Sequence, residues 1–327
     1  MEPQNIWTVT EQNFEALALD IFHFQYDNNL VYQAFCSTLN VDPVSVTRVE
    51  KIPFLPIQFF KSHVIAATSF KAQAIFESSG TTGASTSRHY VKDLEVYRTS
   101  FITAFRRFYG DPADWCIIGL LPSYLERNNS SLVLMVNELV QQSRHPESGF
   151  YLRDFERLKD TIATLEQRQQ KTLLVGVTFA LLDFVETNKF NLNHTLVMET
   201  GGMKGRRREL TRAEVHEQLS KSFGVDQIHS EYGMTELLSQ AYSPGGGRFS
   251  CPPWMKVFIR EEDDPFAIHR TGHTVTSGAA NIIDLANLYS CSFIATDDAA
   301  KLHPDGTFEI LGRLDSSDVR GCSLLSV

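Results

Sequence analysis

The sequence has no C-x-x-C pair, and its five cysteines, Cys36, Cys116, Cys251, Cys291 and Cys322, lie far apart. An odd, scattered set argues against a disulfide framework or a structural zinc site and for reduced thiols in a cytoplasmic protein. The H-E-x-x-H zinc signature and the G-x-x-x-x-G-K-[ST] phosphate loop are both absent, which sets aside two common hydrolase classes. No run of 18 or more apolar residues occurs, so stable membrane insertion is not expected. The opening MEPQNIWTVTEQNFEAL carries acids and no apolar core, unlike a signal peptide. A basic surplus is missing as well. The net charge of −9 sets aside a general nucleic-acid binder. Repeats and low-complexity linkers are also lacking.

What is present reads as a soluble globular protein of one or two domains: 327 residues, 43% hydrophobic and 21% charged. The first 60 or so residues have helical texture. In IPFLPIQFFKSHVI, Pro53 and Pro56 oppose a helix and predict an extended segment on the core. Leu94, Tyr97, Phe101, Phe105 and Phe108 share one helical face, and Gly110 ends the run. WCIIGLLP, TLLVGVTF, TLVMET and QIHSEYG read as strands. SSLVLMVNELVQQS, the run from Leu152 to Leu165, and the segment behind a Thr211–Glu214 capping box read as helices between them. This alternation predicts a mostly parallel sheet covered by helices over residues 1–247. From residue 248 to 327, short β-like pieces separated by turn signals (DDP, TSG, HPDG) predict a smaller β-rich subdomain. Trp254 reads as packing. In parallel sheets ligands sit beyond the carboxyl ends of the strands.

Several motifs fall at such ends. SSGTTG (Ser78, Ser79, Gly80, Thr81, Thr82, Gly83) offers small residues, hydroxyls and free N–H groups to a phosphate. Alone it is also compatible with an ordinary surface loop. TGGMKG follows a strand, and its Gly201, Gly202 and Met203 allow a flat base against the backbone. In EYGMTE (Glu231, Tyr232, Gly233, Met234, Thr235, Glu236), a hydroxyl beside a carboxylate suits a phosphate oxygen and Mg²⁺ together. TDD and LGRLD come last, with Asp298 eight residues before Gly306.

In this order, SSGTTG, GGMKG, EYGMTE, TDD and GR-x-D resemble the core motifs of the adenylate-forming superfamily of acyl-CoA synthetases, adenylation domains and luciferases. IPFLPIQFFKSH, LLPSYLERNNSSL and the terminal SDVRGCSLL make the chain similar to the LuxE-like acyl-protein synthetases over nearly its whole length. The resemblance implies ATP and Mg²⁺ as cofactors, with ATP or AMP held by residues 78–83, 201–203 and 231–233, Asp298 on the ribose and Arg313 on ribose or phosphate. Thr235 and Glu236 would serve catalysis, with Glu236 as metal ligand. It also implies activation of a fatty or other apolar carboxylic acid, then acyl transfer to a cysteine near the C-terminus, here Cys322, for delivery to a partner protein such as a reductase or transferase. The chain departs from the superfamily in three places. Thr86 replaces the usual lysine, with Arg88 nearby; the histidine of the aromatic motif is missing from LLPSYLERNNSS; and the C-terminal lid domain is absent. Two other activities stay compatible: a minimal acyl-CoA ligase of the phenylacetate type, and a catalytically weak nucleotide-binding subunit of a biosynthetic complex.

Overall fold

The computed structural model describes residues 2–78, 86–121, 129–152, 154–201, 210–261 and 264–314. The chain opens with a short α1 (Gln4–Trp7), then α2 (Phe14–Asn28) and α3 (Leu30–Thr38). Asn29 starts α3 by accepting from the N–H groups of Val31 and Tyr32, and its amide donates to the distant Ser290 carbonyl at 2.9 Å. The proline-rich segment is extended only as far as its prolines reach. It supplies β1 (Leu55–Pro56), and then α4 (Phe59–Ser62), one helical turn, forms where no proline forbids it.

Strands β2 (Ala74–Glu77) and β3 (Arg88–Val91) form a hairpin around the glycine-rich segment. Helix α5 (Leu94–Tyr109) is capped by Asp93, buries Tyr97, Phe101 and Phe105, and stops at Gly110, which takes φ 86°. Then follow β4 (Cys116–Leu120), α6 (Ser131–Ser143) behind a Ser130 cap, β5 (Gly149–Phe150) and α7 (Phe155–Gln167). Leu152, expected in that last helix, sits before the Asp154 cap with φ 49°. β6 (Thr172–Val177) is shorter than expected, because Thr178 and Phe179 open α8 (Thr178–Thr187), a helix that the apolar run disguised as strand. β7 (Thr195–Thr200), α9 (Arg212–Phe223) with its Thr211–Glu214 capping box, β8 (His229–Tyr232) and β9 (Ala241–Ser243) complete this part. The rest is β10 (Met255–Arg260), β11 (Ile268–His269), β12 (Thr276–Asp284), β13 (Phe293–Leu302) and β14 (Phe308–Arg313). Residues 276–278, expected as a turn, belong to β12. A Cβ on Gly278 would strike the Arg260 carbonyl, so glycine serves close strand approach there.

The architecture is α/β. One sheet runs β5-β4-β6-β7-β8-β9, parallel except for β9. Register puts Glu199 beside Ser230 and Thr200 beside Glu231, so the two glutamates face opposite sides. Ser230 meets His216 of α9 on one side, and His229 meets Tyr109 of α5 on the other. The sheet is thus covered by helices on both faces. The smaller, β-rich sheet runs β1-β13-β12-β10-β11, with β14 on β13. Its β1 comes from the N-terminal part and pairs parallel with β13, Leu55 beside Ile294. Phe22, Tyr32 and Phe54 gather around Phe293 at ring separations of 6.3, 6.1 and 6.4 Å, joining the N-terminal helices to that strand. Trp254 is buried, edge-on to Trp7 at 5.1 Å.

Helix α9 ends on Gly224 in the left-handed conformation, φ 66° and ψ 36°. An added Cβ would lie 2.8 Å from the Phe190 carbonyl oxygen. Gly224→Ala therefore combines backbone strain with a clash against backbone, and should cost about 2 kcal/mol, lowering the thermal midpoint by about 5 °C. An unchanged melting curve would contradict this account of the helix end.

Candidate functional site

The carboxyl ends of β4, β6, β7 and β8 open on the same side of the sheet, and the β2–β3 hairpin closes against them. Ser78 and Ser87 latch the hairpin base: the Ser78 N–H donates to the Ser87 carbonyl at 3.0 Å, and the Ser87 N–H to the Ser78 Oγ at 2.9 Å. This uses the Ser78 oxygen as an acceptor and leaves its O–H to donate. The Glu77 N–H donates to the Asn129 carbonyl at 2.9 Å, tying the hairpin to the end of the loop after β4. Residues 79–83 lie outside the described residues, as do Gly202, Met203 and Cys322.

The loop after β8 carries Thr235 and Glu236, and three buried side chains hold it from behind. His89 of β3 donates from Nδ1 to the Thr235 carbonyl at 3.0 Å, and its Nε2 faces the Ser290 hydroxyl at 2.8 Å. Burial lowers the His89 pKa to about 4. The ring is therefore neutral, with its proton on Nδ1 and Nε2 as acceptor. Asn287 donates to the Glu236 carbonyl at 2.8 Å and accepts from the Leu238 N–H at 3.0 Å. Asp284, at the end of β12, accepts from the N–H groups of Leu238, Ser239 and Ala286 at 2.9, 2.9 and 3.0 Å, and from the Ser239 hydroxyl at 2.6 Å. Burial raises the Asp284 pKa to about 6 against the pull of those donors. None of these clamp residues carries a sequence motif. The one signal is the D-L-A-N run that follows the apolar stretch of β12.

Held this way, the Glu236 carboxyl is buried, and burial raises its pKa. A hydrogen bond from Ser87 opposes the shift, followed by its own backbone N–H and the charges of Arg313 and Lys61. No described residue forms a salt bridge with it. A buried carboxylate next in sequence to a threonine, with no salt-bridge partner among the described residues, is a donor set that suits Mg²⁺. That ion takes one or two protein carboxylates and completes its shell with phosphate and water. No group of three acids, histidines or cysteines suited to a metal occurs among the described residues.

Asp298 and Arg313 come together as direct cross-strand partners on β13 and β14. Arg313 Nε lies 3.8 Å from Asp298 Oδ1, and the Tyr232 hydroxyl donates to Oδ2 at 2.7 Å. Burial raises the Asp298 pKa, while Tyr232 and Arg313 pull against it. Tyr232 is fixed by Phe249 and Phe308, with centroids at 5.9 and 5.6 Å. Arg313 acts on both Asp298 and Glu236, so the last strand and the loop after β8 border one space. Gly201 follows β7 with φ 66°, and its carbonyl accepts from Thr178 at 3.1 Å.

Glu231 and its neighbour Glu199 differ. Glu199 is buried, but the hydrogen bond from His216 and the charge of Arg212 outweigh that burial and lower its pKa. Glu231 has only the Thr200 hydroxyl to offset burial, which raises its pKa to about 7, with Glu199 adding to the rise. Its carboxyl sits under Gly233, where any Cβ would strike it. A folded-state pKa above the unfolded value means that stability from this group is full below about pH 4.5 and is lost as pH rises through about 7. Glu231→Gln should therefore be neutral near pH 5 and stabilising at pH 8, by up to about 3 kcal/mol. Thermal melts of both proteins across that range test this, and a gap independent of pH would refute it.

A family profile described as "Acyl-protein synthetase, LuxE" matches residues 6–326. No curated protein matches the chain in sequence. Among solved structures, an open form of a 2-hydroxyisobutyryl-CoA ligase, in complex with 2-HIB-AMP and CoA, aligns with TM-score 0.66 at 10% identity, covering 94% of this chain and 70% of that one. The same ligase in its postadenylation state aligns with TM-score 0.65 at 10% identity, over 93% and 68%. A luciferase-like enzyme from the nonluminescent mealworm Zophobas morio aligns with TM-score 0.50 at 13% identity, over 77% and 60%. At these identities the likeness is one of fold.

Proposed function

The chain belongs to the LuxE family of acyl-protein synthetases, and from that premise we propose that it activates an apolar carboxylic acid with ATP and passes the acyl group to the thiol of Cys322. The observation that carries this reading is the meeting of three separate elements at one end of the sheet. The hairpin base supplies Ser87 to Glu236, and β14 supplies Arg313 to both Glu236 and Asp298. This supports a reading in which the base of the glycine-rich hairpin, a metal carboxylate at Glu236 and a ribose-side carboxylate at Asp298 serve one nucleotide.

In the first step a carboxylate oxygen of the acid attacks the α-phosphorus of ATP. The bond to the bridging oxygen breaks, and pyrophosphate leaves with its electrons. The glycine-rich residues 78–83 cradle the phosphates through N–H and O–H groups. Asp298, kept in orientation by Tyr232, accepts from ribose hydroxyls, and Gly201, Gly202 and Met203 face the base. Glu236, with Thr235 beside it, would hold Mg²⁺, which would supply positive charge against the phosphates. In the second step the Cys322 thiolate attacks the acyl carbonyl and AMP leaves. The thiol proton passes to solvent, and Arg320 favours the thiolate. The buried cysteines are poor competitors. Burial pushes the Cys116 thiol up to about 11 and the Cys36 thiol up to about 12. The acid is apolar in this reading because, among the described residues, no arginine or lysine cluster stands out for a second charged end. A second reading, transfer to free coenzyme A, is favoured by the CoA bound in the similarly folded ligase.

Pyrophosphate exchange over a panel of acids tests the first step. Fatty or aryl acids should exchange best, and Glu236→Ala should lose at least about tenfold. Unchanged exchange in that variant would remove Glu236 from the role. For the second step, labelled acid with ATP should leave a hydroxylamine-sensitive label on the protein. Cys322→Ser should abolish the label yet keep exchange. Free acyl-CoA on adding coenzyme A, with no protein label, would favour the second reading.

A further inference from the structure

Strand β13 does not run evenly beside β12. Ala299 pairs with Ala279 and Ala295 with Asn281, so three residues of β13, Thr296, Asp297 and Asp298, stand against one residue of β12, Ala280. Such a bulge interrupts the ladder, bends the strand and leaves backbone groups in need of other partners. The partners come from elsewhere. The Ile57 N–H, just after β1, donates to the Ala295 carbonyl at 2.9 Å, and the Leu314 N–H to the Asp297 carbonyl at 2.7 Å. The Asp298 N–H donates to the Thr296 hydroxyl at 3.2 Å. Asp298 is thereby released from β12. It pairs with Arg313 on β14 instead, and its carboxyl reaches Tyr232 in the other sheet.

The remaining partner is Arg260, the last residue of β10. Its guanidinium spans the bulge. Nη1 donates to the Ala280 carbonyl at 3.1 Å and to Asn281 Oδ1 at 2.7 Å, and Nη2 donates to the Thr296 carbonyl at 2.5 Å. The buried Thr296 closes the same space by donating from its hydroxyl to the Ala280 carbonyl at 2.8 Å. Arg260 forms no ion pair with a described residue. It uses its fork on two carbonyls and an amide, which lie on two different strands. A planar guanidinium holds three such acceptors at fixed spacing, whereas the single ammonium of a lysine does not. We propose that Arg260 is a positioning residue for the nucleotide: its guanidinium bridges β12 to Thr296, keeps the bulge open, and so aims the Asp298 carboxyl at the ribose hydroxyls. It touches no ligand itself. This rests on the role given to Asp298 in the adenylation reading above.

Titration calorimetry of the full chain tests this with MgATP and with the Mg²⁺ complex of dideoxy-ATP, which lacks both ribose hydroxyls. Arg260→Met should weaken MgATP binding about tenfold and dideoxy-ATP binding less than about twofold, because the lost interaction needs the hydroxyls. Arg260→Lys keeps the charge but not the fork, and should still weaken MgATP at least about fivefold with the same selectivity. Thr296→Val removes the hydroxyl that holds the Asp298 N–H and should show that selectivity too, so the comparison survives if Arg260→Met does not fold. Equal losses for the two nucleotides would mark a merely structural arginine and overturn the proposal, as would an unchanged MgATP affinity. A parent chain that binds neither nucleotide, or both alike, also overturns it, since Asp298 would then not hold the ribose. A parent chain that prefers MgATP over dideoxy-ATP yet exchanges pyrophosphate with no acid overturns the adenylation reading instead, and the variants still judge Arg260 by binding.

Discussion

The buried carboxylate of Asp284 is the contact on which the site depends. It accepts four hydrogen bonds, three from backbone N–H groups, and two of these belong to the turn that follows Glu236. Such a group is costly to bury and becomes tolerable only when its donors are complete. The network therefore has one good geometry. Ser239 also accepts from Trp254, and Ser100 of α5 joins both at 3.1 Å. One acid thus sets the distance between the smaller sheet, the loop after β8 and a helix of the larger sheet. Removing it would leave the Ser239 and Ala286 N–H groups without that acceptor and loosen the loop that carries Thr235 and Glu236, which Asn287 and His89 would then hold alone.

Acids are distributed in this protein by what faces them. Glu199 is paired with Arg212 and its pKa is lowered, Asp284 is surrounded by N–H groups, and Asp298 shares a tyrosine and an arginine. Glu231 and Glu236 have the weakest compensation, and both lie in the same six-residue stretch. Glu231 is closed off beneath Gly233, whereas Glu236 lies next to the hairpin base and Arg313. Among the described residues the cations that act on Glu236 are single side chains, Arg313 foremost, rather than a basic patch.

Much of the frame was legible from period and punctuation. The cap at Ser130, the box at Thr211 and Glu214, and the stop at Gly110 are local, and local rules found them. The pairing of Asp298 with Arg313 follows from two adjacent strands, of which the sequence showed only the eight-residue spacing from Asp298 to Gly306. The errors share a cause. Thr178 continues an apolar run that a buried helix and a buried strand present alike, and residues 276–278 look like a turn because Gly278 serves strand approach. The clamp was not legible at all. His89, Asp284 and Asn287 lie 146, 46 and 51 positions from the groups they hold, and no periodicity links residues so distant.

The pairing of β1 with β13 carries a consequence in time. Gln58 and Asp297 are 239 positions apart, so this edge of the small sheet cannot form until nearly the whole described chain has been synthesised. At about 5–20 residues per second, the apolar faces of Phe22, Tyr32 and Phe54 wait about 10–50 s for Phe293. During that interval the N-terminal helices have nowhere to bury their aromatic side. Closing so long a loop also slows folding more than it weakens the folded state. The nascent chain is thus most exposed to aggregation and to chaperones before β13 is made, and the strand that carries Asp298 also ends that exposure.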